Sequence, residues 1–294
     1  MEINIPEAKM VVAVSGGVDS AVLLELIVRK CHNKEDIVVA HFDHGIRHGS
    51  ELDAKFVCEL ASKYGVEFVS EREELGANAS EALARKSRYD FLFRVMKENN
   101  ADYLITAHHL DDRIETAIIN IIRGTGYRGL VSLRNRRSIL RPLLQIPKKD
   151  IIIFARDNKL LWRDDPSNKD QSYLRNYVRH TLIPRAESKD SFFKEKMSGI
   201  INSTESLAEE IDGILSRLEH QHLDRTDFIM LPYGLSREVM RFLVVTNGVR
   251  DVSEKTINRL VISAKTSQNG KIYDICHHLV METKPDWIEI NKRM

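Results

Sequence analysis

The 294-residue sequence has only three cysteines, Cys31, Cys58 and Cys276, and none stands in a CxxC pair. Zinc fingers, iron–sulfur clusters and disulfide frameworks need clustered thiols, so these three read as small apolar side chains. No apolar run approaches the roughly 20 residues of a membrane span. The first ten residues, MEINIPEAKM, lack the basic and apolar regions of a signal peptide. A cytoplasmic protein that does not enter a membrane is therefore expected. There is no internal repeat and no low-complexity tract. Nor is there an overall excess of either charge, since 44 Lys+Arg face 43 Asp+Glu.

The balance hides an uneven distribution. Residues 123–185 hold 15 Lys+Arg against 5 Asp and no Glu, a net +10, while the remainder is at −9. A basic segment inside a near-neutral chain is the footprint expected for a polyanion such as nucleic acid, although a solvated basic face gives the same count.

The first half alternates strand and helix patterns. KMVVAV (9–14), DIVVAHF (36–42), VEFVS (66–70) and DYLITA (102–107) read as buried strands. Between them run helical segments, among them 50–65 with Ser50 as N-cap and Gly65 as stop, and 80–100 capped by Ser80. This spacing predicts an α/β fold, a parallel doubly wound sheet with helices on both faces. IPKKDIIIFARDNKL (146–160) reads as a helix begun by Pro147, and SYLRNYVRHTLIP (172–184) as one ended by Pro184. A long helical stretch from Ser191 and a small α/β tail from 226 follow. The charge change places a boundary near 185–190, giving a catalytic domain over 1–187 and a helical linker with a small substrate-binding domain over 188–294.

Ligands of such sheets lie beyond the carboxyl ends of the strands. The first of these ends is Ser15-Gly16-Gly17-Val18-Asp19-Ser20. Two glycines let the backbone approach an oxyanion, successive N–H groups and a helix start point to one place, and the hydroxyls of Ser15 and Ser20 can add hydrogen bonds. A Walker loop would carry a lysine, and none follows here. Asp19 beside a phosphate needs a bridging cation, for which Mg²⁺ is a common solution.

SGGVDS between a strand and a helix resembles the pyrophosphate loop of the N-type ATP pyrophosphatases, whose fold is adenine nucleotide alpha hydrolase-like. HFDHGIRHGS (41–50), NASEALARKSRYDF (78–91), TAHHLDDRIETAIINIIRGTGYRGL (106–130), RPLL (141–144) and WRDDPSNKDQSYLRNYVRHTLIP (162–184) follow in order. Together they resemble the tRNA(Ile)-lysidine synthetases, densely over residues 9–185 and loosely through the tail. The resemblance implies an ATP- and Mg²⁺-dependent ligase. Such an enzyme joins free L-lysine to ring carbon 2 of the wobble cytidine in CAU-anticodon tRNA(Ile), by way of an adenylated tRNA, and so changes codon reading from AUG to AUA. A monomer or homodimer is expected. Arg113 stands where many members have Gln, and the chain reads as a short form without the extra C-terminal domain of longer members.

The resemblance also assigns roles. Ser15, Gly16, Gly17, Val18, Asp19 and Ser20 hold the nucleotide. His108 and Asp112 form the catalytic pair, with Asp19 or Asp112 holding Mg²⁺; Asp111 and Asp112 could instead only cap their helix, and His109 reads as packing. One of Arg175 and Arg179, four apart on one helix, steadies the pyrophosphate or the adenylated base. Asp43, His44, Glu81, Arg85 and Arg88 bind substrate, although Glu81 and Arg85 could simply pair with each other. Read from their charge rather than from the resemblance, Arg134, Arg136 and Arg137 form a basic loop expected to contact the tRNA backbone. Tyr127 and Tyr173 either stack on bases or pack. His41, His44 and His48 without a cysteine are not a zinc pattern. A sulfur-transferring thiolase, a small-molecule amide ligase and a tRNA-binding module without catalysis are the rival readings.

Overall fold

The computed structural model describes residues 1–45, 49–76, 80–163, 174–216, 222–249 and 252–293, apart from the side chains of Glu81 and His222. Two compact units emerge, Met1–Thr204 and Glu205–Met294. The division falls inside the long helix rather than at the charge change near 185–190.

Unit 1 is built on five parallel strands, β1 (Met10–Ala13), β2 (Ile37–Asp43), β3 (Glu67–Arg72), β4 (Tyr103–Ile105) and β5 (Ile139–Leu140), in the order β3-β2-β1-β4-β5. Central β1 pairs on both sides, with Val12 opposite Val39 and Ile105. It is buried on both faces, which is why it reads as an unbroken apolar run. Val12, Val14, Ile37, Val39 and Ile105 pack on α1 (Val18–Lys30), α2 (Glu51–Tyr64) and α6 (Lys148–Asp157). Val11, Val38, Ala40 and Leu104 pack on Phe91, Leu92 and Val95 of α3 (Glu81–Glu98). Each fully buried Val, Leu, Ile or Phe among them contributes about 1.5–3 kcal/mol. The expected doubly wound sheet is present, with the two-residue β5 added at an edge where no periodicity could announce it.

The local signals mostly hold. Gly65 ends α2 in the left-handed conformation at φ 67°. Ser80 caps α3 by accepting the Leu83 amide at 3.2 Å. Ser50 does not cap; its hydroxyl donates to Asp43 Oδ2 at 2.9 Å instead. Helix α4 (Leu110–Ile122) is followed by the short α5 (Tyr127–Leu130). Pro184 does not end its helix. The chain runs from α7 (Leu174–Tyr177) through a π turn (Val178–Leu182) into α8 (Ile183–Glu187), with Pro184 as the second residue of α8. The Ile183 amide bonds the Val178 carbonyl five residues back, and this wider turn makes room for a ring that would clash inside a regular helix.

After α9 (Phe193–Leu215), unit 2 forms an antiparallel sheet β6-β9-β8-β7 from β6 (His222–Asp224), β7 (Lys271–Cys276), β8 (Leu279–Thr283) and β9 (Trp287–Lys292). Its core joins Phe228 of α10 (Arg225–Met230), Met240 and Leu243 of α11 (Tyr233–Thr246), Ile257 and Leu260 of α12 (Glu254–Thr266), and Met281 and Ile288 of the sheet. This is the small α/β unit expected from residue 226. Among the described residues no helix is long and apolar enough to cross a membrane.

Candidate active site

Strand β4 lies beside β1 although β2 and β3 come between them in sequence, so the winding reverses there. Loops leaving two such strands diverge and open the crevice in which open α/β sheets hold ligands. A cavity of about 540 Å³ occupies this place, lined by Ser15, Gly17 and Asp19 from the β1 loop and by His109, Asp111 and Asp112 from the β4 loop. Two stretches 90 residues apart thus converge because both leave the sheet at its switch point.

The β1 loop is held from inside. Ser20 is 3% exposed. Its hydroxyl donates to the Gly17 carbonyl at 2.9 Å and accepts the Ser15 amide at 3.2 Å. Ser20 therefore shapes the loop and, contrary to expectation, keeps no hydroxyl for a ligand, whereas Ser15, Gly17, Val18 and Asp19 face the cavity. Gly16 is buried behind them at φ +90°, a left-handed conformation that other residues resist. An added Cβ there would meet only ordinary contacts, the nearest at 3.5 Å from Phe56. Gly16→Ala should therefore act through backbone strain, lowering stability by about 1–2 kcal/mol in a urea titration.

The opposite wall is the start of α4. His109, 4% exposed, is its N-cap; Nδ1 accepts the Asp112 amide at 3.4 Å while Asp112 Oδ2 accepts the His109 amide at 3.1 Å. The ring proton then sits on Nε2, which faces Asp112 Oδ2 at 3.4 Å and Asp19 Oδ2 at 3.7 Å. His109, read from the sequence as packing, is the imidazole that links the two loops. Burial works to raise the Asp112 carboxyl, but His109, His108 and Arg179 outweigh it and hold it below its ordinary value. Asp111 is likewise held low against burial, by the Lys148 amide at 2.7 Å and Lys194 at 2.9 Å.

Arg179 closes the far side. Its Nε reaches Glu115 Oε1 at 2.6 Å, and its Nη2 reaches Glu115 Oε2 at 2.8 Å and Asp112 Oδ1 at 3.1 Å. Glu115 is 1% exposed, and burial raises its pKa despite the guanidinium. Arg175 also faces α4, donating to Thr116 Oγ1 at 3.2 Å with its Nε 3.9 Å from Glu115. The i,i+4 spacing thus does bring both arginines to one place. Three further cations were not legible as site residues. Lys148 Nζ lies 2.5 Å from Asp19 Oδ1, Arg163 Nε lies 2.5 Å from Asp53 Oδ1, and Lys194 bonds Asp111 and Glu187. Lys148 is 129 residues from its partner, a pairing no local signal could have shown.

His108 does not line this cavity. Its Nδ1 is 2.9 Å from Thr106 Oγ1. Burial pushes its pKa down to about 3, with Asp112 opposing and Arg141, Arg88 and Arg85 adding to the fall. Asp112 and this group of arginines all act on its charge. Arg85 and Arg88 of that group lie 4.8 and 5.8 Å from the Tyr89 ring centroid. His44 is lowered by burial and by the same Arg88, and it meets Phe42 edge-on at 4.9 Å.

Asp43 corrects an expectation. It accepts the Gly45 amide and the Ser50 hydroxyl, both at 2.9 Å, with Arg72 at 3.6 Å, so it braces its loop and is not free for substrate. His41 is buried against the Val14 carbonyl at 2.8 Å. Arg113 is fully buried and donates to Asn202 at 2.6 Å, so its departure from Gln serves the attachment of α4 to α9 rather than the cavity. Arg136 and Arg137 are exposed, while Arg134 is half-buried and its carbonyl accepts from Arg141. Arg128 lies 5.4 Å from the Tyr127 ring centroid. The Glu81 side chain, His48, Asn78, Tyr173 and the DPSN segment lie outside the described residues.

The donor set fits a magnesium nucleotide. Exposed amides and a helix start suit phosphate. Among the described residues no three His, Cys, Asp or Glu form a metal cage, but Asp19 and Asp112 flank one imidazole nitrogen, and Mg²⁺ is commonly held by one or two carboxylates plus phosphate oxygens. None of the three cysteines lines the cavity.

A family model described as a PP-loop domain matches residues 2–186. The chain is 38% identical over 284 residues to the tRNA(Ile)-lysidine synthase of Thermus thermophilus, covering 90% of this chain and 53% of that one. It is 32% identical over 282 residues to that of Exiguobacterium sibiricum, covering 92% and 67%. The chain spans about half the length of the first of these relatives. Among solved structures, the U34-tRNA thiolase NcsA of Methanococcus maripaludis, with its [4Fe-4S] cluster, matches at a TM-score of 0.56 and 22% identity. That match covers 70% of this chain and 74% of that one, a likeness of fold.

Proposed function

Because the chain belongs to the PP-loop domain family, alongside the tRNA(Ile)-lysidine synthases, we propose that it is an ATP-dependent ligase. Its reaction joins the ε-amine of L-lysine to ring carbon 2 of the wobble cytidine of CAU-anticodon tRNA(Ile). The carrying observation is the single cavity in which the Ser15–Asp19 loop faces Asp112, Glu115 and Arg179 across the sheet's switch point.

The chemistry has two parts. Cytosine O2 is a poor leaving group, so it attacks the α-phosphorus of ATP, an O–P bond forms, and pyrophosphate departs. The lysine nitrogen then bonds to C2, and the C2–O bond breaks to release AMP. The Ser15–Asp19 amides and the start of α1 hold the polyphosphate. Asp19 and Asp112 are the groups that would hold Mg²⁺, which when bound neutralises developing phosphate charge. Arg179, anchored on Glu115, presents a fixed guanidinium to the leaving group. His108, neutral through the physiological range, offers a hydrogen-bonding imidazole on the arginine-lined side, where the base and the amino acid come in.

The test supplies ATP, Mg²⁺, labelled lysine and unmodified CAU-anticodon tRNA(Ile), with methionine tRNA as control, and follows label in tRNA together with AMP. Label confined to the isoleucine tRNA is expected. AMP without bound lysine would redirect the reading to another nucleophile. The exposed Arg136 and Arg137 are read as tRNA-backbone contacts. Replacing both with Gln should weaken tRNA binding for either tRNA alike and flatten the slope of log affinity against log salt by about 1–2. An unchanged slope would remove them from the interface.

A further inference from the structure

We propose that Lys148 is the phosphate-binding lysine of this nucleotide site, supplied by the start of α6 rather than by the glycine loop. The proposal rests on the ATP reading above and adds a residue to it. The loop Ser15–Ser20 carries no lysine of its own. In space a lysine is nonetheless there: Lys148 Nζ lies 2.5 Å from Asp19 Oδ1 and lines the same cavity as Ser15 and Gly17.

Its backbone is fixed at that spot. Pro147 is the N-cap of α6, and the Lys148 amide donates to Asp111 Oδ2 at 2.7 Å, tying the start of α6 to the start of α4. Packing of Ile151 and Ala155 into the core shared with α1 holds the rest of the helix. The position of the ammonium is thus set by two neighbouring helices, not by the loop it serves.

The other cations of the cavity are anchored on carboxylates outside the glycine loop. Arg179 is forked onto Glu115 and also bonds Asp112, Lys194 bridges Asp111 and Glu187, and Arg163 holds Asp53. Lys148 engages one carboxylate, and that carboxylate belongs to the phosphate loop itself. Both side chains of the pair remain about 30% exposed, at 32% and 28%. An ion pair so placed is weak and exchanges readily. An ammonium has three donors, so two remain for phosphate oxygens even while Asp19 keeps one. Lys148 therefore neutralises Asp19 in the free protein and turns its charge to the polyphosphate when nucleotide enters with its cation.

The test is calorimetric titration of the full chain, in Mg²⁺, with inorganic pyrophosphate and separately with AMP. Lys148→Met is expected to weaken pyrophosphate binding roughly 10- to 100-fold, the loss of a charge-assisted contact, and to leave AMP within about twofold. Lys148→Arg should recover most of the affinity, and Lys148→Gln should not. Wild-type affinity for pyrophosphate in Lys148→Met would overturn the assignment. Recovery of affinity in Lys148→Met combined with Asp19→Asn would do the same, because it would show that the lysine only offsets Asp19. Equal loss of pyrophosphate and AMP with a lowered melting temperature would likewise make the residue merely structural. If the wild-type chain bound neither pyrophosphate nor ATP, the ATP reading itself would fall, a result distinct from all of these.

Discussion

Under the proposed lysine-ligase reading, transfer is expected to accelerate about tenfold for each pH unit between pH 7 and pH 9, measured as kcat/KM for lysine. The attacking nitrogen must be neutral, yet an amine with a pKa of about 10.4 is free in only about one molecule per 10³ at pH 7, a deficit of roughly 4–5 kcal/mol. A base poised near neutrality would relieve it. The described candidates His108, Asp111 and Asp112 do not supply one. His108 is pushed down to about 3 by burial, and Asp111 and Asp112 are held below their ordinary values by the cations and amides around them. Glu115 alone among these carboxyls is raised, and both its oxygens are bound by Arg179. The rate therefore follows the free amine supplied by solution. The adenylation half, read as tRNA-dependent exchange of labelled pyrophosphate into ATP, involves no amine and should stay flat over the same range. A transfer rate that levels off above pH 7 would mean that a base of raised pKa forms once tRNA is bound. In the proposed reaction the weak His108 still has a use, because the nitrogen becomes acidic as the C–N bond forms, and even a feeble acceptor can then take its proton.

Replacing Arg179 with methionine will cost both stability and turnover, and the two losses separate. Glu115 is almost fully buried and would lose its forked partner. Breaking a buried pair from one side costs about 3–5 kcal/mol, and Arg175, with its Nε 3.9 Å away, should hold the loss near the lower figure. The sign of the pH dependence follows. The Glu115 pKa is already raised by burial and rises further without Arg179. A raised group contributes stability that is fully present below its unfolded value and is lost as pH rises through its folded value. The deficit of Arg179→Met should therefore be largest at pH 7 and shrink as pH falls towards 5, in parallel urea titrations. Adding Glu115→Gln should restore most of the stability at pH 7. It should not restore activity, because the guanidinium proposed to face the leaving group is still missing; a loss of about 10²–10³-fold is expected in single and double variant alike. Recovery of turnover in the double variant would reduce Arg179 to a structural partner of Glu115.

Both effects depend on side chains whose partners lie far apart in the sequence. SGGVDS was legible because its chemistry is local: a buried strand, two glycines and a helix start fall within ten residues, and backbone sterics decide the rest. The acidic start of α4 and the paired arginines at 175 and 179 were legible for the same reason, since helical spacing fixes which neighbours share a face. Side chains whose role depends on a partner far along the chain were not. Asp43 looks like a ligand residue until Gly45, Ser50 and Arg72 are seen to occupy it, and Ser20 until its hydroxyl is found holding the loop. Pro184 looks like a helix stop until the π turn before it makes room.

Local propensity and periodicity settled the strand–helix alternation, the phosphate loop and the place of the site at the strand ends, because those depend on contacts within a few residues. Strand order settled the chemistry. It set β4 beside β1 and so aimed His109 at Asp19 and turned His108 towards the arginines. The packing of α6 on α1 carried Lys148 to a loop 129 residues away. Burial, which exists only in the folded chain, then lowered the proton affinity of His108 and raised that of Glu115, in each case a shift towards the uncharged form.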